Sequence, residues 1–189
     1  MLKLEHGRPE NMEGRLKKEV RVYDFLDKLH VEYDFVDHEA VENMEVCAQI
    51  DGALQAMICK NLFLCNRKET QFYLLMIPAN KKLNFKELSD QLGTSRLTFA
   101  KETYMQEFLD ITPGAVSVLG LINDHEKRVQ LLVDRQVMED DYIGCHPCTN
   151  TTSKSSHPGT GYVGCGHSGN AARTDFCRFG LKLFELYIQ

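Results

Sequence analysis

Past residue 15 the apolar positions fall into a helical rhythm. Leu16, Val20, Tyr23, Leu26 and Leu29 recur at three and four residues, which is one face of a helix, widened by Val22 and Phe25 and ended at His30. Residues 1–14 are polar and hold Gly7, Pro9 and Gly14, so they read as a loose leader. After the helix, Val31, Tyr33 and Phe35 alternate with polar neighbours and predict a half-buried strand. Glu42 to Ile50 predicts a second helix with Met44, Val46, Cys47 and Ile50 on its apolar side, stopped by Asp51-Gly52. Cys59 to Cys65 then reads as a buried strand followed by a turn at Asn66 to Thr70. Phe72 to Ile77 is apolar without a break, which predicts a strand covered on both faces and paired with the first in a central hairpin.

The second half continues the alternation of helices and strands. Asn84 with Glu87 has the form of a capping box and opens a helix to Leu92, with Gly93 as its stop. Leu97 to Ala100 predicts a short strand, and Glu102 to Leu109 a helix with Tyr104, Met105, Phe108 and Leu109 inward. Thr112-Pro113-Gly114 is a turn. It feeds an expected strand from Val118 to Ile122, a hairpin loop from Asn123 to Arg128 and a returning strand from Val129 to Asp134. Arg135 to Asp141 predicts a single helical turn, and Tyr142 to Pro147 an extended segment. From Ser153 to Asn170 four serines, five glycines and a proline replace any apolar period. The expected organisation is a leader over 1–14, one domain over 15–152 and an atypical Ser/Gly-rich segment over 153–189. Intermixed helices and strands with two hairpins predict an α+β domain with a mixed sheet.

Composition narrows the partners. The formal net charge is −5, so long duplex nucleic acid held by general electrostatics is not expected, and a nucleic-acid partner implies a local, narrow contact. No run of about eighteen apolar residues is present, and the first residues lack the form of a signal peptide. Seven cysteines in such a chain imply reduced thiols and a cytoplasmic setting.

Few residues stand out as carriers of chemistry. Lys60 heads a buried strand, so it either snorkels to water or, with Asn61, stabilises an anion at a site. Gly114 either closes a turn or lets a ligand approach backbone amides. His146, fixed by Pro147, lies near Asn150 and is a candidate site residue. Asp134 ends an apolar strand and either caps a loop or pairs with a cation such as Lys60. Cys145, Cys148, Cys165 and His167 have a spacing compatible with structural zinc, although the second half is not a clean pair. Phosphate-binding glycine loops, a zinc-hydrolase His-Glu-x-x-His and a Gly-x-Ser-x-Gly elbow are all missing from the sequence.

Taken in order, these motifs resemble the YbaK/prolyl-tRNA-synthetase-associated editing domain family, and within it the freestanding ProX (PrdX) type. The resemblance is carried by His38 in Asp37-His38-Glu39, Lys60-Asn61-Leu62-Phe63-Leu64, Pro78-Ala79-Asn80-Lys81-Lys82, Leu97-Thr98-Phe99-Ala100, Thr112-Pro113-Gly114-Ala115-Val116, Gly120 to Asp124, Val133-Asp134, and His146-Pro147 with Asn150-Thr151. It implies a mostly antiparallel mixed sheet or partly closed barrel with flanking helices. It implies hydrolysis of the ester of alanyl-tRNA(Pro), with Lys60 catalytic and Asn61, His38, Gly114, Asp134, His146 and Asn150 binding substrate. A ribose hydroxyl of the terminal adenosine would help to position water, and no metal or other cofactor is implied. The implied partner is the acceptor end of tRNA, with no membrane and no DNA, and the chain acting as monomer or homodimer. Val118 stands where family loops often carry proline, and the segment after Thr152 departs from the family's closing strand and helix. Two alternatives stay open: a deacylase for another mischarged tRNA, such as one on tRNA(Cys), and a non-catalytic tRNA-binding module.

Overall fold

The computed structural model describes residues 4–37, 57–139, 143–149 and 161–165. Among them the central pair of strands is β3 (Met57–Asn66) and β4 (Phe72–Pro78), joined antiparallel with Lys60 opposite Ile77 and Asn61 opposite Met76. Asn66 closes this hairpin. Its buried carboxamide oxygen accepts from the amides of Thr70 at 2.9 Å and Gln71 at 3.3 Å, so the turn's polar groups are satisfied where water is excluded.

The other strands are β1 (Leu4–His6), β2 (Asp34–Asp37), β5 (Leu97–Phe99), β6 (Val129–Val133), β7 (Ile143–Cys145) and β8 (Gly161–Cys165). They form an open sheet in the order β1-β2-β8-β7-β3-β4-β6, with β5 paired to β3 beside that path. Among the described residues only the β3–β7 and β4–β6 pairings are parallel. The helices are α1 (Lys17–Lys28), α2 (Phe85–Gln91), α3 (Glu102–Leu109) and α4 (Arg135–Glu139). This is the expected α+β mixed, mostly antiparallel sheet, and it is open among the described residues.

Every residue of β4 is buried, because each face of the sheet carries its own apolar layer. Phe72, Leu74 and Met76 join the main core with Tyr23, Leu26, Phe63, Phe108 and Leu119. Tyr73, Leu75 and Ile77 face a second layer with Leu64 and Leu97, covered by Phe85, Leu88 and Leu92 of the α2 region. Helix α2 starts as expected, with the Asn84 side chain accepting from the Glu87 amide at 3.2 Å. Gly93 follows at φ +61°, the left-handed stop.

Four expectations are corrected. The leader contains β1, paired with β2. The Ser/Gly-rich segment contains β8, paired with β2 and β7; backbone pairing, which needs no apolar period, supplies its order. Val118 to Ile122 is not a strand but part of a 3-10 helix, Val118–Asn123, and the strand after it pairs in parallel with β4, so the second hairpin does not exist. The local cause is Ser117, whose side chain accepts from the Leu119 amide at 3.2 Å and caps the turn. Finally, α1 buries Glu19, Val22, Tyr23 and Leu26 while Leu16 is exposed, so the inward face is rotated from the one its apolar spacing suggests. A charged residue is drawn in because Arg15 meets it: Arg15 pairs with Glu19 at 2.5 Å and with Asp37 at 2.6 Å. Burial pushes the Glu19 pKa up, and the Arg15 hydrogen bond and charge offset only part of that. The expected helix over Glu42 to Ile50 lies outside the described residues. No described helix is long and apolar enough to cross a membrane.

Two stability predictions follow from these contacts. A Cβ on Gly120 would sit 2.2 Å from Cδ1 of Ile111 and 3.2 Å from Cβ of Leu109, both fully buried, so the Ile111 side chain would have to repack within a filled core. Gly120→Ala is therefore expected to cost about 1–3 kcal/mol in chemical denaturation; an unchanged midpoint would contradict the packing. Arg15→Met strips the cation from two carboxylates and is expected to cost about 3 kcal/mol, because a lone buried charge is left behind. A Glu19→Gln background should relieve much of that loss, and a loss that is the same in both backgrounds would show that the pair is not coupled.

Candidate functional site

The alternation of β3 decides what faces what. Cys59, Phe63 and Cys65 belong to the main core and Leu64 to the second layer. Lys60 therefore lies on the second-layer face and Asn61 on the main-core face. Lys60 opposes Ile77 on β4, while Val133 on β6 opposes Met76, so Asp134 is next in line beside Ile77. Lys60, Ile77 and Asp134 thus form one row across three strands, with the two charged residues about 10 Å apart at their backbones.

Lys60 is half-buried, and its Nζ donates to the Ala79 carbonyl at 3.2 Å. That uses one of three ammonium donors. Asp134 takes Lys81 rather than Lys60 as its cation, with Nζ to Oδ2 at 2.5 Å. The reason is reach: Lys81 folds back over the sheet from the turn after Pro78, where its amide donates to the Pro78 carbonyl at 3.0 Å. Burial tends to raise the Asp134 pKa, but the Lys81 hydrogen bond and charge and the Gln136 amide outweigh it and hold the carboxyl below its usual range.

On its edge away from β4, β3 pairs with β7 at Met57 and Ile58 and with β5 from Leu64 to Asn66. Between these stretches, Lys60 to Leu62 has no strand beside it among the described residues. Asn61 contributes a buried carboxamide oxygen there that has no hydrogen-bond partner among the described residues. A buried acceptor left unmet costs about 1–3 kcal/mol, which a ligand donor would recover.

The Gly114 turn and the His146 segment approach through Cys145. Pro113, Gly114 at φ +86° and the Ala115 amide donating to the Thr112 carbonyl at 3.1 Å make a type II turn, which only glycine adopts at its third position without strain. Three residues on, Ser117 is fully buried and hydrogen-bonds the Cys145 thiol, which also neighbours Cys59 of β3. His146 and the buried Pro147 follow Cys145 directly. Loop, β7 and β3 thus meet around one thiol. Burial pushes the Cys145 pKa up to about 12 and that of Cys148 higher still, so both stay neutral and are poor nucleophiles.

His38 and Asn150 lie outside the described residues. No group of three or more His, Cys, Asp or Glu among the described residues is arranged to hold a metal ion. Two residues escaped the sequence reading. Lys81 was visible only as part of Pro78-Ala79-Asn80-Lys81-Lys82, where a turn directly after the central strand was the one hint that it folds back. Ser117 carried no signal.

The pair makes a testable contribution to stability. A carboxyl whose pKa is depressed by folding contributes stability above its unfolded value of about 3.9, and loses it as pH falls through the folded value. With Lys81 45% exposed, the contribution is about 1 kcal/mol at most. The stability gap between wild type and Asp134→Asn should be constant from pH 5 to 7 and close below about pH 4. A gap that widens on acidification would reverse the assigned sign.

The family model described as an aminoacyl-tRNA editing domain matches residues 38–158. The prolyl-tRNA editing protein ProX of Acetoanaerobium sticklandii is 34% identical over 128 residues, covering 68% of this chain and 78% of its own. The zebrafish (Danio rerio) prolyl-tRNA synthetase associated domain-containing protein 1 is 32% identical over 145 residues, covering 76% and 77%. A solved structure of a proposed trans-editing enzyme for prolyl-tRNA synthetase shares the fold at a TM-score of 0.60 and 17% identity, covering 81% of this chain and 88% of its own. The family match spans Lys60, Gly114, Asp134 and His146 together, and the chain belongs to the aminoacyl-tRNA editing domain family.

Proposed function

We propose that this protein is an aminoacyl-tRNA deacylase that acts in trans, hydrolysing the ester of alanine mischarged onto proline tRNA. The observation that carries the reading is Lys60, a cation on the central buried strand whose ammonium meets one carbonyl among the described residues, in an editing-domain chain. The names of the similar proteins from A. sticklandii and zebrafish support the prolyl-tRNA assignment.

The chemistry asked of the site is modest. An aminoacyl ester is already activated, so positioning and charge stabilisation supply most of what hydrolysis needs. With the Cys145 and Cys148 thiols neutral, the nucleophile is water, and the ribose hydroxyl of the terminal adenosine helps to place it. The ammonium of Lys60 holds phosphate or sugar oxygens of the acceptor end. The Ala115 amide is engaged in its own turn, which leaves the Gly114 amide as the donor for the ester carbonyl. Asn61 offers its buried carboxamide oxygen, which meets no donor among the described residues, to a substrate donor. His38, His146 and Asn150 complete the substrate contacts, and Asp134 acts as the ionised member of the row. A small pocket admits alanine and rejects proline by size, since steric rejection of a larger side chain is stronger than discrimination against a smaller one. Because only the single-stranded acceptor end enters, a net charge of −5 is no obstacle.

The test is hydrolysis of alanyl-tRNA(Pro) by the purified protein, run beside prolyl-tRNA(Pro) and mischarged tRNA(Cys). Alanyl-tRNA(Pro) should be cleared fastest. A rate equal to buffer overturns the enzyme reading, and tRNA binding without turnover would mark a binding module. Lys60→Ala should lower kcat by a factor on the order of 100 or more with an unchanged melting temperature; a fully active variant removes Lys60 from its role.

A further inference from the structure

Lys60 is held at its tip, and what holds it is itself anchored. Its Nζ donates to the Ala79 carbonyl at 3.2 Å. Ala79 lies in the turn closed by the Lys81 amide donating to the Pro78 carbonyl at 3.0 Å. The Lys81 side chain then crosses to Asp134 Oδ2 at 2.5 Å. Asp134 is fixed from two further directions: its amide donates to the Met76 carbonyl at 2.9 Å, and its Oδ1 accepts from the Gln136 amide at 3.0 Å. The contacts run from β6 through the turn to the tip of Lys60.

From this chain of contacts we propose that Lys81 is a positioning residue for Lys60: paired with Asp134, it clamps the Pro78–Lys81 turn and so fixes the Ala79 carbonyl on which the Lys60 ammonium rests. Asp134 does not do this directly, because Ile77 separates the two residues across the sheet. Nor does Lys82 substitute, since it makes no ion pair among the described residues. At 45% exposure the Lys81 pair contributes little net stability, so its consequence is geometric. A lysine has four rotatable bonds, and an untethered ammonium spreads over many positions. Catalysis by a positioned charge is sensitive to displacements of about 1 Å.

The catalytic half of this inference rests on the deacylase reading; the positional half does not. The test uses the full chain as wild type, Lys81→Met, Lys81→Arg and Asp134→Asn. First, the rate at which acetic anhydride acetylates Lys60 is followed by peptide mass spectrometry on folded protein. Lys81→Met and Asp134→Asn should release Lys60 and raise its rate severalfold, with Lys81→Arg close to wild type. Equal rates in all four overturn the clamp. Second, kcat and KM are measured on alanyl-tRNA(Pro). Lys81→Met should lower kcat by about two- to fivefold with little change in KM, in keeping with an exposed pair, and Lys81→Arg should restore it. An unchanged kcat overturns the catalytic half. If wild type itself shows no turnover, the deacylase reading falls, while the acetylation rates still decide whether Lys81 positions Lys60.

Discussion

The pairing of β3 with β4 is the constraint on which the rest of the structure depends. Side chains alternate across a strand, so a shift of one residue would send every apolar residue of β3 to the wrong layer. The register is held from both sides, because β4 is buried throughout and has an apolar layer on each face. The turn at Asn66 locks it at one end with side-chain bonds to Thr70 and Gln71. Once it is set, Lys60 must face the second layer and Asn61 the main core. The two adjacent residues therefore serve opposite sides of the strand and cannot act as a simple side-by-side pair.

Two half-buried cations, Arg15 and Lys60, are treated differently. Arg15 meets Glu19 and Asp37 and lies 5.8 Å from the ring centroids of both Tyr23 and Phe35, so its charge is balanced inside the fold. It ties the start of α1 to the end of β2, next to His38 in the sequence. Lys60 has no carboxylate among the described residues and leans on a single carbonyl. The carboxylate in its row is already taken by Lys81. A balanced cation stabilises structure, whereas one with donors to spare is available to a ligand. The same contrast separates Asn66, whose carboxamide is used in its turn, from Asn61, whose buried oxygen meets no donor among the described residues.

Legibility varied with the range of the interaction. The apolar run of β4, the cap and stop of α2, and the limits of α3 were readable because each rests on neighbours in the chain. Val118 to Ile122 misled because an apolar run of that length suits a buried 3-10 turn as well as a strand, and only the Ser117 cap and the contact of Gly120 with Ile111 choose between them. The face of α1 misled because Glu19 is buried by partners as distant as Asp37. At the site, Lys60 drew notice as a charge heading an apolar strand. The partner of Asp134 did not, because Lys81 is 53 residues away.

By itself, then, the sequence determined the mixed α+β character, the central hairpin and the ordered motifs of an editing domain, since period, caps and turn residues act over a few positions. The tertiary structure decided that β6 lies parallel to β4, that β1 and β8 extend the sheet, and that Asp134 is held by Lys81 and Lys60 by Ala79. These depend on strand order and on which residues share a sheet face. Both arise only when distant segments pack together.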